Sequence, residues 1–221
     1  MEKRLILDKA TRRRQLVDAA IGVFAAKGYR VASITDIITA AAVARGTFYL
    51  HFQSKEEAFH AVLDRFHEAF TAMAAREKAR RYGNPLALQT RLRESLIEWL
   101  GFLLSNRDLT KIVLRQAAAV DPDYDRQYQQ IVRDMQDHSA KAIRFLQGIK
   151  ILRADLDPRF LNSVFHGVTT QVVLQAIADG TDPDLEAVAD QWIDLLRMGV
   201  VRPGLPTGNR AGRPRAARTK P

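Results

Sequence analysis

Residues 33–52 read SITDIITAAAVARGTFYLHF. Apolar side chains recur at three- and four-residue spacing on both sides of a break around Ala42 and Val43, which predicts two short helices joined by a tight turn. Ser33 and Asp36 have the spacing of a capping box at the start of the first helix. The second helix, at residues 44–52, begins with compact, polar or basic side chains, so its leading end can approach base edges in a DNA major groove. The stretch therefore predicts a helix-turn-helix.

Helical patterns continue on both sides of this stretch. The preceding helix is expected from about Thr11 to Lys27, with Gly28 supplying its stop. Ser54 and Glu57 have capping-box spacing and open a long helix that fades between residues 81 and 85. Further helices are predicted at about 86–105, 109–120, 123–147, 158–179 and 184–200, and no stretch alternates like a half-buried strand.

The fold class that follows is all-α, with about nine helices in total. A three-helix N-terminal unit containing the helix-turn-helix is joined by the long helix to a C-terminal helical bundle. Residues 203–221 are too poor in apolar side chains to fold alone and are expected to form a disordered basic tail. The motif Gly212-Arg213-Pro214-Arg215 resembles an AT-hook core, but Ala211 stands where that core has another arginine. A solvated tail explains the same residues more simply.

Charge is unevenly distributed along the 221 residues. Residues 1–60 carry ten basic and six acidic side chains, and residues 203–221 carry five basic and no acidic ones. The middle has 19 of each sign and is neutral. A polyanion is therefore expected to meet the two ends. A protein that coats nucleic acid or acidic membranes non-specifically is disfavoured, because its charge would spread along all of the helices.

Enzymatic chemistry finds little support in the composition. Cysteine is absent and only five histidines are present. Neither a glycine-rich phosphate loop nor a nucleophile motif occurs, so no catalytic residues and no cofactor are expected. His60, Asp64 and His67 could share one helix stripe, yet a solvated flank gives the same pattern, and no metal site is expected. No apolar run is long enough to cross a bilayer, and the N-terminus lacks the uninterrupted apolar centre of a secretion signal, which favours the cytoplasm and no membrane partner.

Four linked blocks carry a family resemblance: FAAKGY at 24–29, ITDI at 34–37, RGTFYLHF at 45–52 and SKEE at 54–57. In this order and spacing, over roughly residues 11–60, they resemble the N-terminal domain of the tetracycline-repressor (TetR) family of transcriptional regulators. The sequence departs from that family at the turn, where Ala42 replaces the usual glycine, and at Ala44, where a serine or threonine cap is common. Alanine in a left-handed backbone is disfavoured by roughly 1 kcal/mol.

The resemblance implies a role for each matching position. Arg45 and Thr35 are expected to read base edges, and Gly46 keeps the leading edge of the helix bare. The expected phosphate contacts are Ser33, Thr47, Tyr49, His51 and Lys55. Arg45 and Lys55 could instead be solvated charges at helix starts, and the ring of Tyr49 could pack inside.

The resemblance also implies a division of labour. Residues 1–55 would bind a palindromic, double-stranded DNA operator, and residues 56–202 would bind a small-molecule effector and form a homodimer. The residues expected at an effector pocket, each of which could equally be ordinary core, are Trp99, Phe102, Met135, His138, Phe145, Phe165, His166 and Gln171. Apolar stripes on the last two helices are the expected dimer face, although packing within one subunit explains them nearly as well: Leu161, Phe165, Val168, Val172, Leu185, Val188, Trp192, Leu195 and Leu196.

Overall fold

A computed structural model describes residues 8–78, 85–115 and 122–199. Within these ranges it contains nine α-helices and no β-strand, which confirms the all-α expectation. The helices are α1 Lys9–Lys27, α2 Ile34–Ala40, α3 Arg45–Tyr49, α4 Lys55–Lys78, α5 Pro85–Ser105, α6 Arg107–Arg115, α7 Pro122–Gly148, α8 Pro158–Asp179 and α9 Leu185–Gly199. The tail at 203–221, the motif at 212–215 and the expected helix end near residue 120 lie outside the described residues.

Helix α1 begins before the position that its apolar pattern indicates, because Asp8 caps it. The Asp8 carboxylate accepts a hydrogen bond from the Thr11 backbone N–H at 3.0 Å. The inner stripe of the helix, which includes Leu16, Ala20 and Phe24, is buried. At its end Gly28 takes a φ of 78°, a backbone conformation that glycine adopts without strain.

Helix α2 has the expected capping box at its start. The Ser33 hydroxyl accepts the Asp36 N–H at 3.2 Å, and the Asp36 carboxylate accepts the Ser33 N–H at 2.9 Å. The chain then turns through Ala42, which takes a φ of 51°. Its N–H donates to the Thr39 carbonyl, and the Val43 N–H donates to the Ile38 carbonyl, both at 3.1 Å. This pair of bonds defines a Schellman motif with alanine in the left-handed position where glycine is usual.

Helix α4 connects the N-terminal helices to the bundle. At its start Ser54 accepts the Glu57 N–H at 3.2 Å, as the capping-box spacing predicts. The Glu57 carboxylate differs from that prediction, because it accepts the N–H of Gln53 at 2.6 Å. The inner side chains of α4, Phe59, Phe66 and Phe70 among them, belong to one hydrophobic core that extends from α1 to α9. The N-terminal helices and the bundle therefore share a continuous interior.

Two basic side chains fix α6 and α5 to their neighbours. Lys111 on α6 donates to the Ala25 carbonyl near the end of α1 at 2.6 Å, which ties the bundle to the N-terminal unit. Arg93 on α5 pairs with Glu186 and Asp190 on α9. In the described part of the chain, no helix combines the length and the apolar character that a membrane span requires.

Replacing Ala42 with glycine is expected to stabilise the protein. Glycine removes the left-handed strain of alanine, roughly 1 kcal/mol, but adds freedom to the unfolded chain that costs about 0.4–1 kcal/mol. We therefore expect a net gain of up to about 0.6 kcal/mol in the free energy of unfolding. Urea denaturation measures this change. Ala40→Gly, in the regular last turn of α2, is the matched control and should destabilise the protein by up to about 1 kcal/mol. If Ala42→Gly destabilised the protein as Ala40→Gly does, the inference that the backbone is strained at Ala42 would be contradicted.

Candidate nucleic-acid interface and ligand cavity

Helix α3 presents a bare outer edge and a buried rear. It is shorter than the predicted 44–52, because the helix ends at Tyr49 and the chain turns at Leu50. Phe48 and Phe52 are 0% and 1% exposed, whereas Arg45 and Gly46 are exposed. Ala44 provides no side-chain cap. Tertiary packing of the two phenylalanines thus holds a helix that is too short to persist on its own.

The other residues expected at the outer edge lie beside Arg45. Thr47 is half-buried, and Tyr49 is 47% exposed, so its ring does not pack inside. The Arg45 guanidinium lies 5.9 Å from the centre of the Tyr49 ring. An exposed arginine held near an aromatic face can reach a guanine edge with little reorganisation.

Ser33 and Thr35 lie at the exposed start of α2. The Ser33 hydroxyl is already engaged, because it caps the helix and donates to the Asp36 carboxylate at 2.8 Å. The Lys27 ammonium, at 2.6 Å, and then the Ser33 hydroxyl lower the pKa of Asp36 to about 2. The negative charge of Asp36 near this surface is therefore balanced by Lys27.

Lys55 has a structural role that its sequence position does not indicate. Its ammonium donates to the carbonyl oxygens of Tyr29 and Ala32, both at 2.9 Å, and lies 4.4 Å from the centre of the Tyr29 ring. These bonds clamp the first turn of α4 onto the loop between α1 and α2. A phosphate contact by Lys55 would have to use the one N–H that remains.

A basic cluster that the sequence analysis did not assign surrounds His51. Burial first, and then the charges of Lys9, Arg13 and Arg12, lower the pKa of this half-buried imidazole. His51 is consequently uncharged at neutral pH and can offer a phosphate only a hydrogen bond. The positive charge at this edge comes from α1, where the Arg13 guanidinium lies 5.0 Å from the centre of the Phe52 ring. The run of three arginines at residues 12–14 was the feature of the sequence that could have indicated this cluster.

A cavity of about 160 Å³ lies within the bundle, between α4, α5, α7, α8 and α9. Five of the eight residues expected at a pocket line it: Trp99, Met135, His138, Phe165 and His166. Phe102 stacks on the Trp99 ring at 5.8 Å but is not part of the lining. Phe145 and Gln171 are exposed and lie outside it, because the helical turn carries them away from the interior.

Ser139 is a polar lining residue that the sequence analysis missed. Its Oγ donates to the Met135 carbonyl and lies against His166 Nε2, both at 2.9 Å. Burial first, and then the nearby His138, lower the pKa of His166. A serine on a helix gives no signal in the sequence that it will face a histidine 27 residues away. The cavity thus contains an uncharged imidazole held in a fixed orientation.

The stripe of His60, Asp64 and His67 is used for packing between helices. His60 and Asp64 on α4 both bond the Gln127 side chain of α7, and His67 pairs with Asp134 at 2.8 Å. No group of three or more potential metal ligands occurs among the described residues. These bonds hold α4 and α7 together between the cavity and the N-terminal unit.

Comparison with known proteins identifies the family. The model for "Bacterial regulatory proteins, tetR family" matches residues 16–62. The transcriptional regulator TcmR of Streptomyces glaucescens is 30% identical over 196 residues, which cover 84% of this chain and 82% of TcmR. The chain belongs to the TetR family. The transcriptional repressor Rv1474c of Mycobacterium tuberculosis is 26% identical over 198 residues and is covered over 95% of its length, against 87% of this chain.

Solved TetR-like structures share the fold at lower identity. The SmeT–triclosan complex superimposes with a TM-score of 0.70 at 24% identity, over 94% of this chain and 100% of SmeT. FadR from Bacillus subtilis in complex with stearoyl-CoA gives a TM-score of 0.67 at 20% identity, over 83% of this chain and 96% of FadR. The helical arrangement of this TetR-family chain is therefore one that also occurs in ligand complexes.

The nine residues expected at a TetR-type dimer face divide into two groups. Val168 and Leu195 are exposed, at 39% and 59%. The other seven, Leu161, Phe165, Val172, Leu185, Val188, Trp192 and Leu196, are buried or half-buried within the subunit. Trp192 and Leu196 line the cavity. The apolar stripes thus serve mainly the subunit's own core, which apolar spacing alone does not distinguish from an interface.

Replacing Lys55 with methionine is expected to weaken the fold. The change keeps the length of the side chain but removes two hydrogen bonds to backbone carbonyls, so we expect a loss of about 1–3 kcal/mol in the free energy of unfolding. Lys141→Met, at an exposed position on α7, is the control and should change stability by less than about 0.5 kcal/mol. Urea denaturation measures the stability of both variants. If Lys55→Met were as stable as the Lys141→Met control, the structural role of Lys55 would be ruled out.

Proposed function

We propose that this TetR-family protein is a ligand-responsive repressor that binds a palindromic DNA operator as a homodimer. The observation that carries the proposal is α3 itself, with Phe48 and Phe52 buried behind it and Arg45 and Gly46 exposed in front. A helix anchored in this way can enter a major groove with its side chains directed at base edges. A location in the cytoplasm, where the DNA lies, is part of this proposal.

The DNA contacts divide into reading and positioning. Arg45 reads a guanine edge and Thr35 contacts a neighbouring base, because both are exposed at the starts of their helices. The side chains that position the protein on phosphates are Ser33, Thr47, Tyr49 and His51, with the cluster of Lys9, Arg12 and Arg13 supplying most of the charge. Lys55 contributes mainly by fixing the loop that carries Ser33.

The homodimer is proposed to form through the exposed face of α8. Phe160, Val164 and Val168 follow one another at four-residue spacing and are 60%, 38% and 39% exposed. Leu195 on α9 adds a fourth exposed apolar side chain. Large apolar side chains in one stripe favour burial against a symmetry mate. Two subunits joined in this way would present two copies of α3 to successive turns of one duplex.

Release by an effector is proposed to act through α4. One end of this helix contributes Phe70 and Met73 to the cavity, and the other end holds the loop at Tyr29 and Ala32 through Lys55. A ligand releases DNA if it binds more tightly to a conformer in which α4 moves the two copies of α3 out of register with the grooves. Proteins of similar fold form complexes with triclosan and with stearoyl-CoA, which supports a small-molecule ligand for this protein. In this scheme residues 1–55 bind DNA, and residues 56–202 sense the ligand and dimerise.

Arg45→Ala tests the reading role. We expect it to weaken binding to the selected operator by about 1–3 kcal/mol and to relax the base preference, while binding to random DNA changes little. Selection of bound sequences from random duplexes provides the operator, and fluorescence anisotropy compares the affinities. Arg65→Ala, at an exposed position on α4, is the matched control. Equal losses on operator and random DNA would refute the reading role, and selection without a palindrome would refute the two-fold complex.

Val168→Arg tests the dimer face. The substitution places a charge at the C-terminal end of the exposed α8 stripe, so we expect a shift from dimer to monomer together with weaker operator binding. Sedimentation velocity measures the mass of the species in solution. Val31→Arg replaces a valine that is 75% exposed near the helix-turn-helix and should leave the dimer intact. A dimer that persists in the Val168→Arg protein would place the interface elsewhere.

A further inference from the structure

The cavity is bordered by a connected set of aromatic rings. The Phe70 ring meets the Trp99 ring edge-on at 6.0 Å, and Trp99 meets His166 at 6.1 Å. Phe165 then contacts His166 at 5.7 Å and Trp192 at 6.1 Å. All five side chains belong to the lining. Such a surface favours a flat, apolar molecule that can stack on ring faces or pack against ring edges.

The Ser139–His166 pair gives this apolar space a hydrogen-bond acceptor. Because the single Ser139 hydroxyl proton bonds the Met135 carbonyl, the Ser139 oxygen accepts and His166 Nε2 donates. The Nδ1 atom of the uncharged ring then keeps a lone pair. His166 lines the cavity, so a bound molecule that reaches this nitrogen can donate a hydrogen bond to it.

Hydrogen-bond donors come from the two tryptophans. Trp99 and Trp192 are the only tryptophans in the sequence, both line the cavity, and neither buried indole N–H has a hydrogen-bond partner. A buried donor without a partner carries a desolvation cost, which an oxygen atom of a ligand within reach would remove. A group that both donates and accepts, such as a hydroxyl, fits a cavity whose lining offers both an acceptor and donors.

The charges around the cavity disfavour an anion. Among the described residues, no lysine or arginine lines it, and Glu98 is the one carboxylic side chain in the lining. Glu98 already has an interaction partner within the protein. A carboxylate or phosphate taken into this space would lose its water without gaining a counter-charge.

From these observations we infer that the effector is an uncharged, mainly aromatic molecule with one hydroxyl group, of the phenol class, bound with its hydroxyl at His166. The inference rests on the proposed function, because it names the ligand of the proposed sensing site. Acyl chains that end in a carboxylate, and ligands that carry phosphates, are outside this class.

Four probes of matched shape test the ligand class on the full-length protein at neutral pH. They are para-tert-butylphenol, its methyl ether para-tert-butylanisole, para-tert-butylbenzoate, and the para-tert-butylphenyltrimethylammonium ion. Quenching of Trp99 and Trp192 fluorescence reports binding at the cavity, because the chain has no other tryptophan, and titration calorimetry gives an independent affinity. We expect the phenol to bind at least about tenfold more tightly than each of the other three.

His166→Leu tests the acceptor. We expect the phenol to lose its advantage of about tenfold over the anisole, while the anisole itself binds as before within about twofold. His67→Leu is the matched control, since that imidazole lies outside the cavity lining, and it should leave the ratio unchanged. A His166→Leu protein that keeps the preference for the phenol would overturn the role of His166.

Ala142→Lys tests the charge argument without altering the acceptor. Ala142 is a half-buried lining residue on α7, so a lysine there can bring an ammonium to the edge of the cavity. We expect the benzoate to gain at least about tenfold in affinity. If the benzoate gains no affinity, the absence of a cation is not the reason that the cavity disfavours anions, and the charge argument is overturned.

Operator binding separates failure of the inference from failure of the proposed function. Suppose that the unaltered protein binds the benzoate or the ammonium ion most tightly and still binds DNA sequence-specifically. That result would overturn the proposed ligand class but not the proposed repressor function. Selective binding of the phenol by a protein that selects no DNA sequence would refute the proposed function. Release of the operator by the phenol, and by none of the other three probes at equal concentration, is the result we expect.

Discussion

Burial of Phe48 and Phe52 is the constraint on which the DNA-facing surface depends. Helix α3 has only five residues and no side-chain cap, so its own hydrogen bonds cannot keep it folded. The two phenylalanine rings bring it against the core that α1, α2 and α4 contribute to. Because Phe48 and Phe52 are both committed to the rear, Arg45 and Gly46 are left at the front. The exposure of the reading edge is thus a result of packing.

That packing continues without a break into the bundle. The core that holds α3 also contains Phe66 and Phe70 of α4 and reaches Trp99 and Trp192 at the cavity. Lys55 and Lys111 add polar ties on either side, each bonded to backbone carbonyls of the N-terminal unit. A change in shape at the cavity therefore has a mechanical route to α3, since α4 lines the cavity and also belongs to the core that holds α3.

Local patterns in the sequence predicted the elements of the fold well. The Ser33 capping box is formed, and the left-handed backbone at Ala42 follows from the spacing of the two helices around it. The hydrogen-bond partner of the Glu57 carboxylate could not be predicted from the sequence. The N–H groups of Gln53 and Ser54 both precede the helix, so either could donate to this carboxylate. The short length of α3 was hidden too, since apolar spacing continues through Phe52 although the helix ends at Tyr49.

Long-range partners were harder to predict. Bulky and ionisable residues such as Trp99 and His166 are natural choices for a pocket, but Ser139 joins them only through a contact between two helices. Apolar spacing also places a residue on a helix face without saying which neighbour covers it. The three-dimensional structure was needed to show that Phe160 and Val164 are exposed whereas Trp192 is buried.

The shared interior bears on how this chain could be divided or recombined. Phe24 of α1 packs against Phe59 of α4, and helices α1 to α4 all contribute to one core. A fragment cut near residue 55 would therefore lose part of its own core. A unit of about 50 residues has little apolar surface to spare. Grafting the proposed DNA-binding helices onto a different bundle would therefore require the first turns of α4 to travel with them.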